Sequence, residues 1–101
     1  MDDVRFQAAV IGLRMGNAHC QGYKAHPRCQ LVAICDTDPA ILQQRQREYA
    51  PVAAYDDYRG LIAHEGVNII SVASPDYFHA EHCIAALRAG KHVLCEQPLT
   101  L

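Results

Sequence analysis

Residues 6–16 read FQAAVIGLRMG, and here an apolar run of strand length leads directly into a turn with two glycines. The run 6–11 is short and apolar, which is typical of a buried β-strand. Gly12 fits the tight-turn position after such a strand, and a helix is expected soon after Gly16. A strand, a glycine-rich turn and a helix in this order predict the first unit of a parallel α/β sheet.

Further apolar segments of strand length follow, and segments of helical character separate them. The predicted strands after the first are 30–35, 52–55, 68–72 and 92–95. Strands that are apolar along their whole length, without clear alternation, are expected where helices cover both faces of a sheet.

Capping and helix-breaking residues mark three of the helices. Asp and Pro are favoured at the first positions of a helix, and Gly is favoured just past its last residue. The predicted helices are 40–50 between Asp38-Pro39 and Pro51, a helix from Asp56 or Asp57 to about residue 64, and a helix from Phe78 to a left-handed Gly90.

The resulting order βαβαβαβαβ predicts an α/β fold, a doubly wound parallel sheet in strand order 3-2-1-4-5. One domain is expected over residues 1–101, because a chain of this length has room for a single core. No sixth strand follows the fifth, although sheets of this kind usually carry one. We therefore expect a truncated protein whose sixth strand and C-terminal domain are missing.

The composition is that of an ordinary globular domain: half of the residues are hydrophobic, a fifth are charged and the net charge is −2. This balance excludes a disordered chain and offers no basic surface for nucleic acid or an anionic membrane. No apolar stretch is long enough to span a bilayer. The start, Met1-Asp2-Asp3, is acidic where a secretory signal would be positive. We expect a cytoplasmic protein with no nucleic-acid or membrane partner.

The five cysteines are odd in number and include no C-x-x-C pair, which indicates reduced thiols rather than a disulfide framework or a thiolate zinc site. Cys35 and Cys95 end apolar runs, and we expect both to be small buried hydrophobic residues. His79, His82 and Cys83 share one face of a predicted helix, a spacing that can gather metal ligands. Because no further ligand is signalled, no metal is expected, and Cys83 is predicted to lie in the core.

The turn from Gly12 to Gly16 lets backbone amides and a helix N-terminus face a pyrophosphate. Arg14 stands where a dinucleotide fingerprint has its second glycine, and it would lie over the pyrophosphate as a cation or block it. Asp36 lies 20 residues beyond Gly16, at the end of the second strand. A carboxylate there can accept hydrogen bonds from ribose hydroxyls and would repel a 2′-phosphate, which favours NAD over NADP. The alternative is that Asp36 only forms a turn beside Asp38.

Five stretches that together span almost the whole chain follow the motif order of one family. They are G-x-x-M-G-x-A-H at 12–19, V-A-I-C-D at 32–36, Y-D-D-Y at 55–58, A-S-P-D-x-x-H at 73–79 and A-L-R-A-G-K-H-V-L-C-E-Q-P-L at 86–99. With them the chain resembles the N-terminal cofactor domain of the Gfo/Idh/MocA oxidoreductases, the family of glucose–fructose oxidoreductase and inositol dehydrogenase.

The resemblance implies a Rossmann domain whose complete enzyme moves a hydride between a nicotinamide cofactor and a hydroxyl of a sugar or cyclitol. By position, it implies that Ser74, Pro75 and His79 line the cofactor channel and that Glu96 lies near the nicotinamide ribose. The full set of expected cofactor-binding residues is Gly12, Leu13, Arg14, Met15, Gly16, Asp36, Ser74, Pro75, His79, Glu96 and Gln97.

The last motif departs from the family pattern at a catalytic position. The family has E-K-P, whose lysine donates to the substrate oxygen, and this chain has Gln97. A glutamine amide can donate a hydrogen bond but cannot carry a positive charge or act as an acid–base group. With the substrate domain missing as well, we expect the 101-residue chain alone to be inactive. The alternative is a non-catalytic module that senses a dinucleotide or binds a protein. Self-association is also expected, through the edge of the fifth strand or through the face that would meet the second domain.

Overall fold

The computed structural model describes residues 6–95, in which five strands and four helices alternate. The strands are β1 (Phe6–Ile11), β2 (Cys29–Cys35), β3 (Ala53–Tyr55), β4 (Ile69–Val72) and β5 (His92–Cys95). The helices are α1 (Asn17–Ala25), α2 (Pro39–Glu48), α3 (Tyr58–Ile62) and α4 (Asp76–Arg88). Each strand begins within one residue of its predicted start and ends at the predicted residue.

The sheet is wholly parallel and its order is β3-β2-β1-β4-β5, so the predicted topology is confirmed. Ile11 at the end of β1 lies beside Cys35 of β2 on one side and Val72 of β4 on the other. The chain therefore places β2 and β3 on one side of β1, and β4 and β5 on the other, which makes the gap between β1 and β4 the switch point of the sheet. The loops that follow these strands meet at one edge, the place where ligands bind in open α/β sheets.

Helices cover both faces of the sheet, and each face has its own hydrophobic core. Val10 and Ile34 pack with Cys20 of α1 and with Tyr49, which ends α2. The opposite face packs against α3 and α4 in a second cluster: Ala9, Ile11, Ala33, Cys35, Leu61, Val67, Ile70, Val72 and Ala86. Successive residues of β1 alternate between the two cores, which explains why this strand is apolar along its length.

Capping residues lie at three helix termini where the sequence predicts them: the starts of α2 and α3 and the end of α4. The Asp38 carboxylate accepts hydrogen bonds from two amides in the first turn of α2, at 3.0 and 3.4 Å. Asp57, rather than Asp56, caps α3 by accepting from the Arg59 amide at 2.8 Å. Gly90 follows α4 with φ 79°, a left-handed conformation that a glycine adopts without strain.

Three helix boundaries differ from the prediction by two residues, and one of them is the end of α3, which lies at Ile62 rather than at about residue 64. Helix α4 begins at Asp76 rather than Phe78, with Pro75 at its N-cap. Apolar spacing marks only the part of a helix that faces the core, and Tyr77 in the first turn is exposed. Helix α2 ends at Glu48, two residues before the predicted end, because Tyr49 turns out of the helix and packs into the core.

The thiols at the ends of two strands differ in burial. Cys35 is buried, as expected, but Cys95 is exposed, so its predicted burial is wrong. The reason is that Cys95 lies on β5, an edge strand whose Leu94 is exposed as well. Cys83, predicted in the core, is half-buried and packs against the core from α4. Within residues 6–95, no helix reaches the length and apolar character that crossing a bilayer requires.

Candidate functional site

Gly12 begins the turn after β1 and lies against the loop that follows β4. Its φ is 90°, and a Cβ atom there would lie 2.7 Å from the Ala73 carbonyl carbon and the Ser74 amide nitrogen. The Gly12 amide donates to the Cys35 carbonyl oxygen at 2.9 Å, which ties the turn to the end of β2. Both the backbone conformation and the close approach therefore require glycine at this position.

Gly16 closes the turn and is the N-cap of α1. A Cβ atom there would collide with the Gly12 carbonyl oxygen and would lie 2.8 Å from the Val10 side chain. The tight turn delivers the chain into α1 at Asn17, at the carboxyl edge of the sheet. The first amides of a helix have no acceptor within the helix and carry partial positive charge, so this helix start can receive an anion such as a pyrophosphate.

Leu13 is held on three sides. Its side chain is fully buried in the core beneath α1 and α2. Its amide donates to Asp36 Oδ2 at 2.9 Å, and its carbonyl oxygen accepts from Arg45 Nε at 3.2 Å. Of the residues expected to bind cofactor, Leu13 can therefore offer only its backbone, and its burial fixes the path of the turn.

The Asp36 carboxylate lies against the glycine turn. Oδ2 accepts from the Leu13 amide, while Oδ1 accepts from the Asp38 amide at 2.8 Å. The sequence left open whether Asp36 only forms a turn beside Asp38, and the hydrogen bond from the Asp38 amide shows that it does form this turn. The hydrogen bond from the Leu13 amide also joins the Asp36 side chain to the glycine turn. Each carboxylate oxygen can accept more than one hydrogen bond, so capacity remains for ribose hydroxyls.

Arg14 and Met15 form the outer part of the turn, and both side chains are exposed. Arg14 Nη2 donates to Asp38 Oδ2 at 2.8 Å, and the Arg14 side chain is 73% exposed. This guanidinium, together with the Ala40 amide, lowers the pKa of Asp38. The Arg14 side chain is thus paired at the N-terminus of α2.

Ser74, Pro75 and His79 follow β4, next to the glycine turn. Ser74 Oγ forms a hydrogen bond of 2.7 Å with His82 Nδ1, and Pro75 is exposed at the start of α4. His79 is only 3% exposed, and its Nδ1 lies 3.4 Å from the Ser74 carbonyl oxygen. Ser74 and Pro75 line the pocket beside the turn, whereas His79 lies outside the pocket lining.

The pocket opens at the carboxyl edge of the sheet and has a volume of about 300 Å³. Gly12 and Asp36 lie on one side of it, and aromatic residues lie on the other. The Tyr58 and His82 ring centroids are 4.4 Å apart, and Phe78 lies nearly parallel to His82 at 5.9 Å. A concave site with aromatic walls and a carboxylate fits an adenosine.

The aromatic wall is the part of the site that the sequence analysis missed. Burial lowers the pKa of His82, which keeps the ring neutral near pH 7. Tyr58 donates from its hydroxyl to Glu81 Oε2 at 2.8 Å, which joins α3 to α4. Aromatic residues just after β3 and β4, at the carboxyl edge, are the signal that could have pointed to this wall.

Glu96 and Gln97, the remaining expected site residues, lie outside the described residues. The last described strand residue, Cys95, pairs with Val72 of β4. The end of β5 therefore lies at the same edge of the sheet as the glycine turn.

These features define the class of the protein. A parallel sheet in this order, with a glycine turn and a strand-end carboxylate at its switch point, is a Rossmann-type dinucleotide-binding domain. The turn without room for Cβ atoms and the adenosine-sized pocket fit such a cofactor. The family model described as "Oxidoreductase family, NAD-binding Rossmann fold" (GFO_IDH_MocA) matches residues 6–101. The chain belongs to this family.

Several curated relatives of the chain are named as dehydrogenases of a sugar derivative or a cyclitol. D-glucoside 3-dehydrogenase from Escherichia coli is 33% identical over 91% of this chain and 27% of its own length. Myo-inositol 2-dehydrogenase from Thermotoga maritima is 37% identical over 91% of this chain and 28% of its own length. The chain thus spans less than a third of the length of either relative.

Solved structures share the fold. Apo scyllo-inositol dehydrogenase from Lactobacillus casei has a TM-score of 0.88 and 27% identity, over 100% of this chain and 30% of its own. The same organism's scyllo-inositol dehydrogenase with bound NAD(H) and scyllo-inositol has a TM-score of 0.86 and 28% identity, over 95% of this chain and 29% of its own.

Proposed function

We propose that this chain is the cofactor-binding part of an NAD(H)-dependent oxidoreductase that acts on a hydroxyl of a sugar or cyclitol. The observation that carries the proposal is the Asp36 carboxylate, bonded to the glycine-turn amide at 2.9 Å beside an aromatic pocket. Relatives named as dehydrogenases of a glucoside and of myo-inositol favour an oxidoreductase over the non-catalytic module.

In this proposal each part of the site binds one part of the cofactor. The first amides of α1 hold the pyrophosphate, because a helix N-terminus attracts anions. Asp36 accepts hydrogen bonds from the adenosine ribose, and the adenine lies beside Pro75 and Phe78. When bound, the nicotinamide accepts or supplies the hydride.

The charges around the pocket support a preference for NAD over NADP. Asp36, Asp56 and Asp57 all line it, and a 2′-phosphate would bring two further negative charges close to them. The nearby cations that could balance such a phosphate are already paired: Arg14 with Asp38, and Arg59 of the pocket lining with Asp57. We therefore propose that the site selects against the 2′-phosphate.

Gln97 takes the position of the family's lysine. Its amide would donate a hydrogen bond to a substrate hydroxyl or to the nicotinamide ribose. Because an amide does not titrate, the proton lost in alcohol oxidation needs another acceptor, and we propose that this chain alone does not turn over substrate.

We also propose a cytoplasmic location. Free thiols, which are typical of reducing compartments, support it: Cys20, Cys29, Cys35, Cys83 and Cys95.

Titration calorimetry of the 101-residue chain with NADH and NADPH tests the proposal. We expect NADH to bind at least about tenfold more tightly than NADPH, a difference of about 1.4 kcal/mol. Asp36→Asn is expected to lower NADH affinity about tenfold, because it removes a charged hydrogen-bond acceptor. It is also expected to reduce the difference between the affinities for NADH and NADPH.

Asp56→Asn is the matched control, since Asp56 lines the pocket without contacting the turn in any hydrogen bond of the described residues. We expect it to change NADH affinity less than about threefold, as is usual for an exposed charge. No binding heat at millimolar NADH would contradict the proposed function. Equal affinity for the two cofactors would contradict the assigned role of Asp36.

A further inference from the structure

Three soft ligand groups meet at the junction of α4 and β5. A His79 ring nitrogen, Cys83 Sγ and Cys95 Sγ all lie within 4.8 Å of one another, and the two sulfurs are 3.0 Å apart. His79 and Cys83 share one face of α4, and the return of the chain through Gly90 brings Cys95 to them. We call these three residues the thiol–imidazole cluster.

The His79 ring supplies an independent observation that points to a ligand. Its Nδ1 lies 3.4 Å from the Ser74 carbonyl oxygen, so the proton belongs on Nδ1 and the lone pair on Nε2. Among the buried side-chain nitrogen and oxygen atoms of residues 6–95, His79 Nε2 is the one without a hydrogen-bond partner. A metal-binding histidine commonly donates its other ring N–H to a carbonyl in this way.

We propose that the thiol–imidazole cluster binds a soft divalent cation of the Zn²⁺ class through His79 Nε2, Cys83 Sγ and Cys95 Sγ. Sulfur and imidazole ligands suit Zn²⁺, whereas Ca²⁺ and Mg²⁺ require oxygen ligands, which the cluster lacks. Binding forms two metal–sulfur bonds and one metal–nitrogen bond, and the two thiol protons leave to the solvent. No oxidation is involved.

The exposed position of Cys95 provides the entry path and the adjustment that the ion needs. With Zn–S bonds of about 2.3 Å, a tetrahedral ion holds two sulfurs about 3.8 Å apart. The pair at 3.0 Å must therefore open slightly, which a side chain at the end of an edge strand can do. A solvent molecule can complete the coordination from the exposed side.

Such an ion would join α4 to the end of β5, one residue before Glu96. None of the three cluster residues lines the adenosine pocket, so the inference does not depend on the proposed function. A bound ion would instead fix the end of β5 against α4.

Anaerobic titration of the reduced 101-residue chain with Co²⁺, followed by Zn²⁺, tests the proposal. We expect sulfur-to-cobalt charge-transfer absorption that saturates at one ion per chain and disappears when Zn²⁺ displaces Co²⁺. Cys83→Ser and Cys95→Ser should each abolish this absorption, and His79→Gln should weaken Zn²⁺ binding at least tenfold. Cys29→Ser is the matched control, because Cys29 begins β2 at the opposite end of the sheet.

Circular dichroism of each variant separates loss of a ligand from loss of the fold, and Cys95→Ser, at an exposed position, provides the cleanest case. A reduced chain without the charge-transfer band would overturn the proposal, as would an unchanged band in the folded Cys95→Ser variant. A chain that forms a Cys83–Cys95 disulfide in air, yet binds no Co²⁺ when reduced, would also overturn it.

Discussion

The glycine turn and the α4–β5 unit are neighbours at one edge of the sheet, yet they are held in different ways. The turn, residues 12–16, is fixed from within: Leu13 is fully buried, and Asp36 and Arg45 bond its two backbone polar groups. In the α4–β5 unit, α4 packs against one face of the sheet and β5 is an edge strand with a neighbouring strand on one side only. The unit's exposed apolar side chains are Tyr77 and Phe78, which line the pocket, and Ile84, Leu87 and Leu94, which do not.

The difference between the two regions concerns what each is built to contact. A small anionic ligand is bound best by a backbone that is already in place, because little ordering remains to oppose binding. Scattered exposed apolar residues are common, but a continuous group of them marks a surface that another protein surface covers. The turn is suited to a cofactor, and for the α4–β5 unit we propose a contact with a second copy of the chain.

Gly12→Ala is expected to give the largest effect, because it strains the turn itself. At φ 90° and 2.7 Å from the Ala73 backbone, the added methyl group should cost about 3 kcal/mol of unfolding free energy and abolish NADH binding. Urea unfolding measures the loss. Gly22→Ala in α1 is the control, since a Cβ atom there meets open space and should stabilise the helix by about 0.5–1 kcal/mol. Equal unfolding free energies for Gly12→Ala and Gly22→Ala would contradict the strict requirement for glycine in the turn.

Substitutions on the exposed face of α4 test the second region. We propose that the chain self-associates through this face and the β5 edge, and Leu87→Lys should weaken that association at least about tenfold, or 1.4 kcal/mol. Light scattering over a concentration series measures it. Met15→Lys, an exposed apolar position in the turn, should leave association unchanged. A wild-type chain that stays monomeric at all concentrations would contradict the proposal.

His82 is expected to make the α4 side sensitive to acid. Burial lowers the pKa of His82 in the folded chain below its ordinary 6.5, so the unfolded chain binds more protons at low pH. This contribution to stability is present above about pH 6.5 and is lost as the pH falls towards the folded pKa. Urea unfolding at several pH values should show a shallower acid dependence for His82→Asn than for the wild type. Identical slopes would contradict this role.

Arg14→Gly is expected to give the smallest effect, although it restores the glycine of the fingerprint. Because Arg14 is exposed and paired with Asp38, its removal should change NADH affinity less than about threefold. Calorimetry under the conditions used for Asp36→Asn measures it. A gain of tenfold or more would show that Arg14 obstructs the pyrophosphate.

The fold was predictable because its signals are local. Phe6–Ile11 and His92–Cys95 match their predicted bounds, and Asp38 and Gly90 act as predicted at helix ends. Each of these features depends on residues adjacent in sequence, such as an apolar run or a cap within reach of its own helix.

The parts of the site that the sequence did not predict depend on packing between distant elements. Tyr58 and His82 meet only because α3 and α4 lie side by side on one face. Cys95 reaches Cys83 because α4 packs beside β5, and the position of β5 at the edge of the sheet leaves Cys95 exposed rather than buried. No periodicity within a segment carries this information.

The two hydrogen bonds accepted by Asp36 have a consequence for redesign of the cofactor preference. Exchanging this residue for a small neutral one, to admit a phosphorylated ribose, would also release the Leu13 and Asp38 amides from their acceptor. Under the proposed preference for NAD, one side chain would set both the selectivity and the hydrogen bonding of the loop. A successful conversion would need a second substitution that supplies a new acceptor for the Leu13 amide.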